Sequence, residues 1–163
     1  MEGTRYPLDA NVFIEAARRY YAFDLVPTFW DDLVDLASDG IVESIDRVKD
    51  ELQRGDDELS QWTNEKFFDA FASTGDDVIE SCGRIMAWAM NQDQYRQAAK
   101  EEFARVADGS LVAYAHCKGR TLVTHEVLNE TIKSKLPIPN VCQAFNVSYI
   151  DTLRMLRDLG VRI

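Results

Sequence analysis

The sequence is short of cysteine, of positive charge and of long apolar runs, and each shortage closes off a class of protein. Three cysteines, Cys82, Cys117 and Cys142, stand far apart, and no Cys-x-x-Cys pair occurs. That leaves no support for a zinc ribbon or a thioredoxin-type site, and free thiols in a reducing cytoplasm are the expected state. No apolar stretch reaches 18 residues, and the N-terminal run MEGTRYPLDANVF contains no long apolar segment. Neither a secretory signal nor a membrane span is expected, and the reading is a soluble cytoplasmic protein. Lys and Arg number 18 against 28 Asp and Glu, for a net charge of -10. A protein that coats DNA through a broad basic face does not have that balance. Pro- or Ser-rich linkers, low-complexity tracts and internal repeats are missing too, so a single domain over residues 1–163 is expected.

What is present suits a globular chain: 163 residues, 46% of them apolar and 10% aromatic. A domain of this length buries roughly two-thirds of its unfolded surface, enough for a core without disulfides or a structural metal. Charge is divided unevenly. Residues 1–107 carry 23 acidic and 11 basic side chains, whereas residues 108–163 carry 5 acidic and 7 basic. A modest basic cluster, Lys118, Arg120, Lys133 and Lys135, therefore falls on an otherwise acidic chain, where it could steer a polyanion locally.

Periodicity and punctuation give strands at Tyr6–Asp9, Ile41–Ser44 and Thr121–Thr124, with Val161–Ile163 as a last short strand. Helices are expected over Ala10–Tyr21, Pro27–Ser38, Ile45–Arg54, Asp76–Met90 and Gln94–Val106. A short acidic helix follows the break at Gly55-Asp56-Asp57, another helix starts at Asp108, and Val141–Phe145 and Thr152–Leu159 close the chain. Strands alternating with helices build a parallel sheet with helical cover, so the expected fold is α/β, in three α/β/α layers around a mainly parallel sheet.

In such sheets ligands bind beyond the carboxyl ends of the strands. Asp9 ends the first strand, Asp108 caps the helix feeding the third, and Glu126 lies two residues past that third strand. Glu51 sits on the helix after the second strand, at the edge of its buried face beside Leu52. Asp9 and Asp108 could be simple helix caps and Glu51 a surface residue. Their joint occurrence after strand ends points instead to a cluster whose repulsion a hard divalent cation would relieve, Mg2+ first and Mn2+ close behind.

Four segments carry a resemblance: LDANVFIEA at 8–16, SIDRVKDEL at 44–52, ADGSLVAYA at 107–115 and LVTHE at 122–126. In order and spacing they resemble the PIN domain nucleases. Further stretches, ARRYYAFD at 17–24, PTFW at 27–30, ELQRGDDEL at 51–59 and IPNVCQAF at 138–145, resemble a PIN-like subfamily of unknown function. The resemblance implies a metal-dependent endoribonuclease in which Asp9, Glu51, Asp108 and Glu126 hold one or two divalent ions. Asn11 and Thr124 would orient them, and His125 would touch substrate or metal. Glu126 stands where many PIN domains have Asp. RNA would then be held by Arg18, Arg19, Lys118, Arg120, Lys133 and Lys135, with Tyr20 and Tyr21 available for stacking. The resemblance also implies a toxin paired with a small antitoxin, and a homodimer. A catalytically silent PIN-like scaffold that binds protein or nucleic acid is the alternative. Asp9-Ala10-Asn11-Val12 is also similar to the opening motif of haloacid-dehalogenase-like phosphatases, but Asn11 replaces the aspartate that would be their general acid.

Overall fold

The computed structural model describes residues 3–163. Its sheet is assembled from very short strands that borrow their definition from one another. Tyr6–Pro7 (β1) pairs in parallel with Val42–Ile45 (β2), Tyr6 opposite Val42. The far end of β2 pairs with Phe71–Ala72 (β3), Ser44 opposite Phe71. Leu122–Val123 (β4) pairs with Tyr149–Ile150 (β5). A parallel bridge between Leu8 and Val123 joins the two groups, giving the order β3-β2-β1-β4-β5. From β1 the chain first builds outward through β2 and β3, then returns to the other side of β1 for β4 and β5. The order therefore reverses between β1 and β4, which opens a crevice at their carboxyl ends.

Helices cover this sheet as the sequence pattern requires. Ala10–Glu15 (α1), Pro27–Ser38 (α2), Asp46–Gln53 (α3) and Glu58–Lys66 (α4) come first. Asp76–Met90 (α5), Gln97–Arg105 (α6) and Asp108–Lys118 (α7) lead into β4, and Ile138–Phe145 (α8) and Thr152–Asp158 (α9) flank β5. Proline opens α2 at its first position, where its missing N–H costs nothing, and Asp57 caps α4 by accepting from the Ser60 amide at 2.9 Å. α7 is buried over the seven residues Gly109–Ala115, packed against α5 and α8. Gly109 lets α6 come close as well, since a Cβ there would meet the Phe103 ring at 3.3 Å. An aromatic cluster fills the space under α1, α2 and α4. Phe13 meets Phe67 edge-on at 5.5 Å, Trp62 meets Trp30 at 4.8 Å, and Phe23 stacks on Trp30 at 4.0 Å. Among the described residues no helix is long and apolar enough to cross a membrane.

Three expectations are corrected. The helix expected over Ala10–Tyr21 stays α-helical only to Glu15, and Ala16–Tyr20 is a π turn closed by a 2.8 Å bond from the Tyr21 amide to the Ala16 carbonyl. Widening the turn lets Tyr21 stack on Phe29 at 4.3 Å while Tyr20 stays outside. Val161–Ile163 forms no strand. Gly160 adopts a positive φ of 68° and the Val161 amide bonds back to the Leu156 carbonyl, so this apolar residue closes α9 instead. Asp108 is the first residue of α7 rather than its cap, a position held by Ala107.

Phe13 is fully buried at the centre of the aromatic cluster. Phe13→Ala is expected to cost about 3–5 kcal/mol, read as a lowered urea midpoint at unchanged slope.

Candidate active site

The crevice between β1 and β4 is lined with carboxylates delivered by four separate pieces of the chain. Asp9 arrives directly from β1. Its amide donates to the Val123 carbonyl at 3.0 Å, and its carboxylate accepts from the Thr124 hydroxyl, also at 3.0 Å. The residue occupies the N-cap position of α1, where the Asn11 amide draws its carboxyl toward the charged form. Asp9 is only 2% exposed.

Glu51 reaches the crevice from α3, where it accepts the Ala107 amide at 2.8 Å, the orphan N–H just ahead of α7. Asp108 follows as the first residue of α7, half-buried and aimed at the same space. Glu126 hangs from the loop after β4. Its Oε1 accepts the Ile138 amide at the start of α8 at 3.1 Å and lies 3.4 Å from the Lys135 ammonium. Two glutamates are thus anchored on the amides of neighbouring helix N-termini, which favour negative charge, while the two aspartates stand at the N-termini of α1 and α7 themselves and face the opening. The cleft has a volume of about 420 Å3, and Asn11, Glu102, Phe103 and Leu136 complete its walls.

Crowding shows in the electrostatics. Burial, and after it the Glu126 carboxylate, raises the Asp9 carboxyl from 3.8 to about 7, against the pull of the Thr124 hydroxyl. Asp108 is raised to about 8, by burial first and then by Asp9, Glu126 and Glu51. Among the described residues Lys135 is the one lysine lining this cleft. Among the described residues no three His, Cys, Asp or Glu side chains converge into a ready-made metal cage. The donor set is all oxygen, open on one side and starved of positive charge. It fits a hard cation held by few carboxylates with water completing the shell, the habit of Mg2+ and Mn2+, and does not fit a closed, all-protein site.

The other residues singled out in the sequence scatter. Asn11 lines the cleft and Thr124 holds Asp9. His125 turns away from the acids, its Nε2 2.6 Å from the Thr152 hydroxyl and its ring edge-on to Tyr20 at 6.1 Å, and burial lowers its pKa. The basic cluster read along the sequence is not one patch. Lys135 lies at the cleft, and Lys133 is exposed two residues before it. Lys118 closes α7 and pairs with Asp77 at 2.8 Å, about 15 Å along the helix from Asp108. Arg120, just before β4, is held by Glu43 at 2.9 Å. Arg18 is exposed, and Arg19 pairs with Glu15 at 3.4 Å. Sequence reasoning did not find what shapes the loop carrying Glu126 and Lys135. The buried Asn140 amide donates to the Tyr95 hydroxyl and the Asn129 carbonyl, both at 2.8 Å, and accepts the Asn129 amide. Nor did it find Arg47, which bonds the Ser110 hydroxyl at 2.9 Å and steadies the first turn of α7. Neither residue carries a local signal, since each acts on partners distant along the chain, Arg47 on Ser110 and Asn140 on Tyr95 and Asn129.

The model of a family described as "Domain of unknown function (DUF4411)" matches residues 6–163. No curated protein matches the chain. Among solved structures it is similar to the crystal structure of VapBC2 from Rickettsia felis bound to a DNA fragment from their promoter, with a TM-score of 0.55 at 15% identity. The match covers 91% of this chain and 98% of that one. At that identity the likeness is one of fold, and it bears out the PIN-like α/β architecture with a parallel sheet.

Because Asp9 and Asp108 keep protons in the folded state that the unfolded chain has already released, these two groups cost folding nothing at low pH and progressively weaken it as pH rises from about 4 to about 8. Asp9→Asn and Asp108→Asn should each flatten this slope in pH-resolved thermal unfolding. Each should also stabilise the fold at pH 8 by on the order of 2 kcal/mol.

Proposed function

The chain belongs to the family described as "Domain of unknown function (DUF4411)", and from its acidic cleft we propose that it is a divalent-metal-dependent endoribonuclease. The observation that carries the reading is the meeting of Asp9, Glu51, Asp108 and Glu126 in one cleft at the point where strand order reverses. These residues come from α3, from the ends of β1 and β4 and from the start of α7, so the fold draws four carboxylates from distant parts of the chain to one place. Asp9 and Asp108 are the principal holders of Mg2+ or Mn2+. Glu51 and Glu126, fixed on helix amides, complete the negative field. When bound, the ion neutralises this cluster, activates water and stabilises charge on the phosphoryl oxygens. The chain's own part is to hold Asp9 through Thr124, to steady Glu126, and to place Lys135 where a phosphate of the RNA backbone can meet it.

The structural neighbour's description names an assembly on promoter DNA. With the sequence resemblance it supports a finer reading, in which this chain is the toxin of a toxin–antitoxin pair, acts as a homodimer and is silenced by a small partner near the acidic cleft. A second reading has a specific observation behind it. Glu51 and Glu126 already bond helix amides, and among the described residues no three acids form a cage. A silent PIN-like scaffold that binds protein or nucleic acid is consistent with that arrangement.

The experiment is cleavage of single-stranded and structured RNA with Mg2+, Mn2+ or EDTA, beside calorimetric Mn2+ titration. Metal-dependent cleavage is expected, and Asp9→Asn and Asp108→Asn should lose roughly 100-fold or more, beyond what loss of an outer-shell partner costs. Full turnover in both variants would overturn the mechanism. A folded protein with neither cleavage nor Mn2+ binding would establish the scaffold reading.

A further inference from the structure

A second cavity of about 500 Å3 opens beside the acidic cleft and shares Asn11 and Glu126 with it. Its most prominent wall is Tyr20, 59% exposed although it sits next to a tyrosine that packs against the core. The π turn over Ala16–Tyr20 is what parts them. Tyr21 lies flat on Phe29 at 4.3 Å and 13°, and its carbonyl accepts the Trp30 indole N–H at 2.6 Å. Tyr20 is left standing over the cavity. Its ring meets His125 edge-on at 6.1 Å and 84°, and the imidazole is tethered to Thr152, which is 3% exposed at the start of α9. A large aromatic face is thereby fixed in solvent, backed by a second ring that is itself held in place.

The chemistry of the remaining lining selects the occupant. Among the described residues no lysine or arginine lines this cavity, whereas Glu15 and Asp151 do, and the half-exposed Leu153 adds an apolar edge. A phosphate or carboxylate group is disfavoured there by like charge. A flat, uncharged group that stacks and offers N–H donors suits it. We propose that this cavity takes the nucleobase of the nucleotide adjoining the cleaved phosphodiester, stacked on Tyr20 with its amino-bearing edge toward Glu15 and Asp151. The proposal rests on the nuclease reading for the position of the phosphodiester, and the shared walls Asn11 and Glu126 supply the continuity between base and phosphate. It makes the cavity a determinant of which nucleotide flanks the cut. An adenine, cytosine or guanine edge presents an amino group to a carboxylate, and uracil presents carbonyls on either side of its one N–H.

The test uses uncharged nucleosides, so it needs neither metal nor turnover. The chain has two histidines. His125 lies in the cavity, while His116, on α7 against Phe145 at 5.9 Å, serves as an internal reference. Adenosine is expected to shift the His125 ring resonances saturably in proton NMR spectra and to leave those of His116 in place, and ribose should shift neither. Tyr20→Ala should weaken adenosine binding about fivefold or more, as loss of one base–aromatic stack does, and Tyr20→Phe should retain it. An unmoved His125 signal, an equal shift with ribose, or unchanged binding in Tyr20→Ala would overturn the proposal. Uridine matching adenosine would overturn the role given to Glu15 and Asp151. Adenosine binding in a folded protein that neither cleaves RNA nor binds Mn2+ would uphold the base site and sink the nuclease reading. Cleavage without adenosine binding would do the reverse.

Discussion

At the seam between β1 and β4 the Asp9 amide bonds the Val123 carbonyl and the Thr124 hydroxyl bonds the Asp9 carboxylate, with the Leu8–Val123 bridge one residue earlier. The two groups of strands are joined there, and the strand order changes direction there. The same four residues carry the sheet's continuity and the deepest carboxylate of the cleft. Moving Asp9 would break the seam, and opening the seam would release Asp9. A buried acid is costly, and this one is retained where the fold can least easily do without its neighbours.

The cost is spread unequally over the four acids. Glu51 and Glu126 each satisfy a helix N-terminus, so their charge is repaid by backbone dipoles. Asp9 and Asp108 stand at the N-termini of α1 and α7, but burial and the neighbouring carboxylates outweigh that support and push them toward neutrality. Stability has been traded at that spot for an unsatisfied negative field, the arrangement expected where function rather than folding sets the residues. The net charge of -10 makes the same point at the scale of the whole chain. A polyanion would approach this molecule only where the field is locally inverted, by a cation among the acids or by Lys135 at their rim.

Much of this could be read along the chain. The proline at the start of α2, the limits of α5 and the apolar period of α7 all lie within single elements, where local propensity and burial agree. β3 and β5 were missed, and a strand was expected at Val161–Ile163, because a two-residue strand has no period of its own and exists only through its partner. The π turn was also invisible, since it arises from the pull of Phe29 on Tyr21 rather than from anything within Ala16–Tyr20.

The sequence by itself determined the alternation of strands and helices, and the placing of an acid after β1, on α3, at α7 and after β4. Those are consequences of period, breakers and residue type, all local. Tertiary structure alone decided that the four acids share one cleft, that the lysines and arginines of residues 118–135 part company, and that Tyr20 faces solvent while Tyr21 does not. Each depends on distances across tens of residues, set by a parallel sheet whose crossovers bring distant strand ends to one edge and carry neighbours such as Lys118 and Lys135 to opposite ends of a helix and a loop.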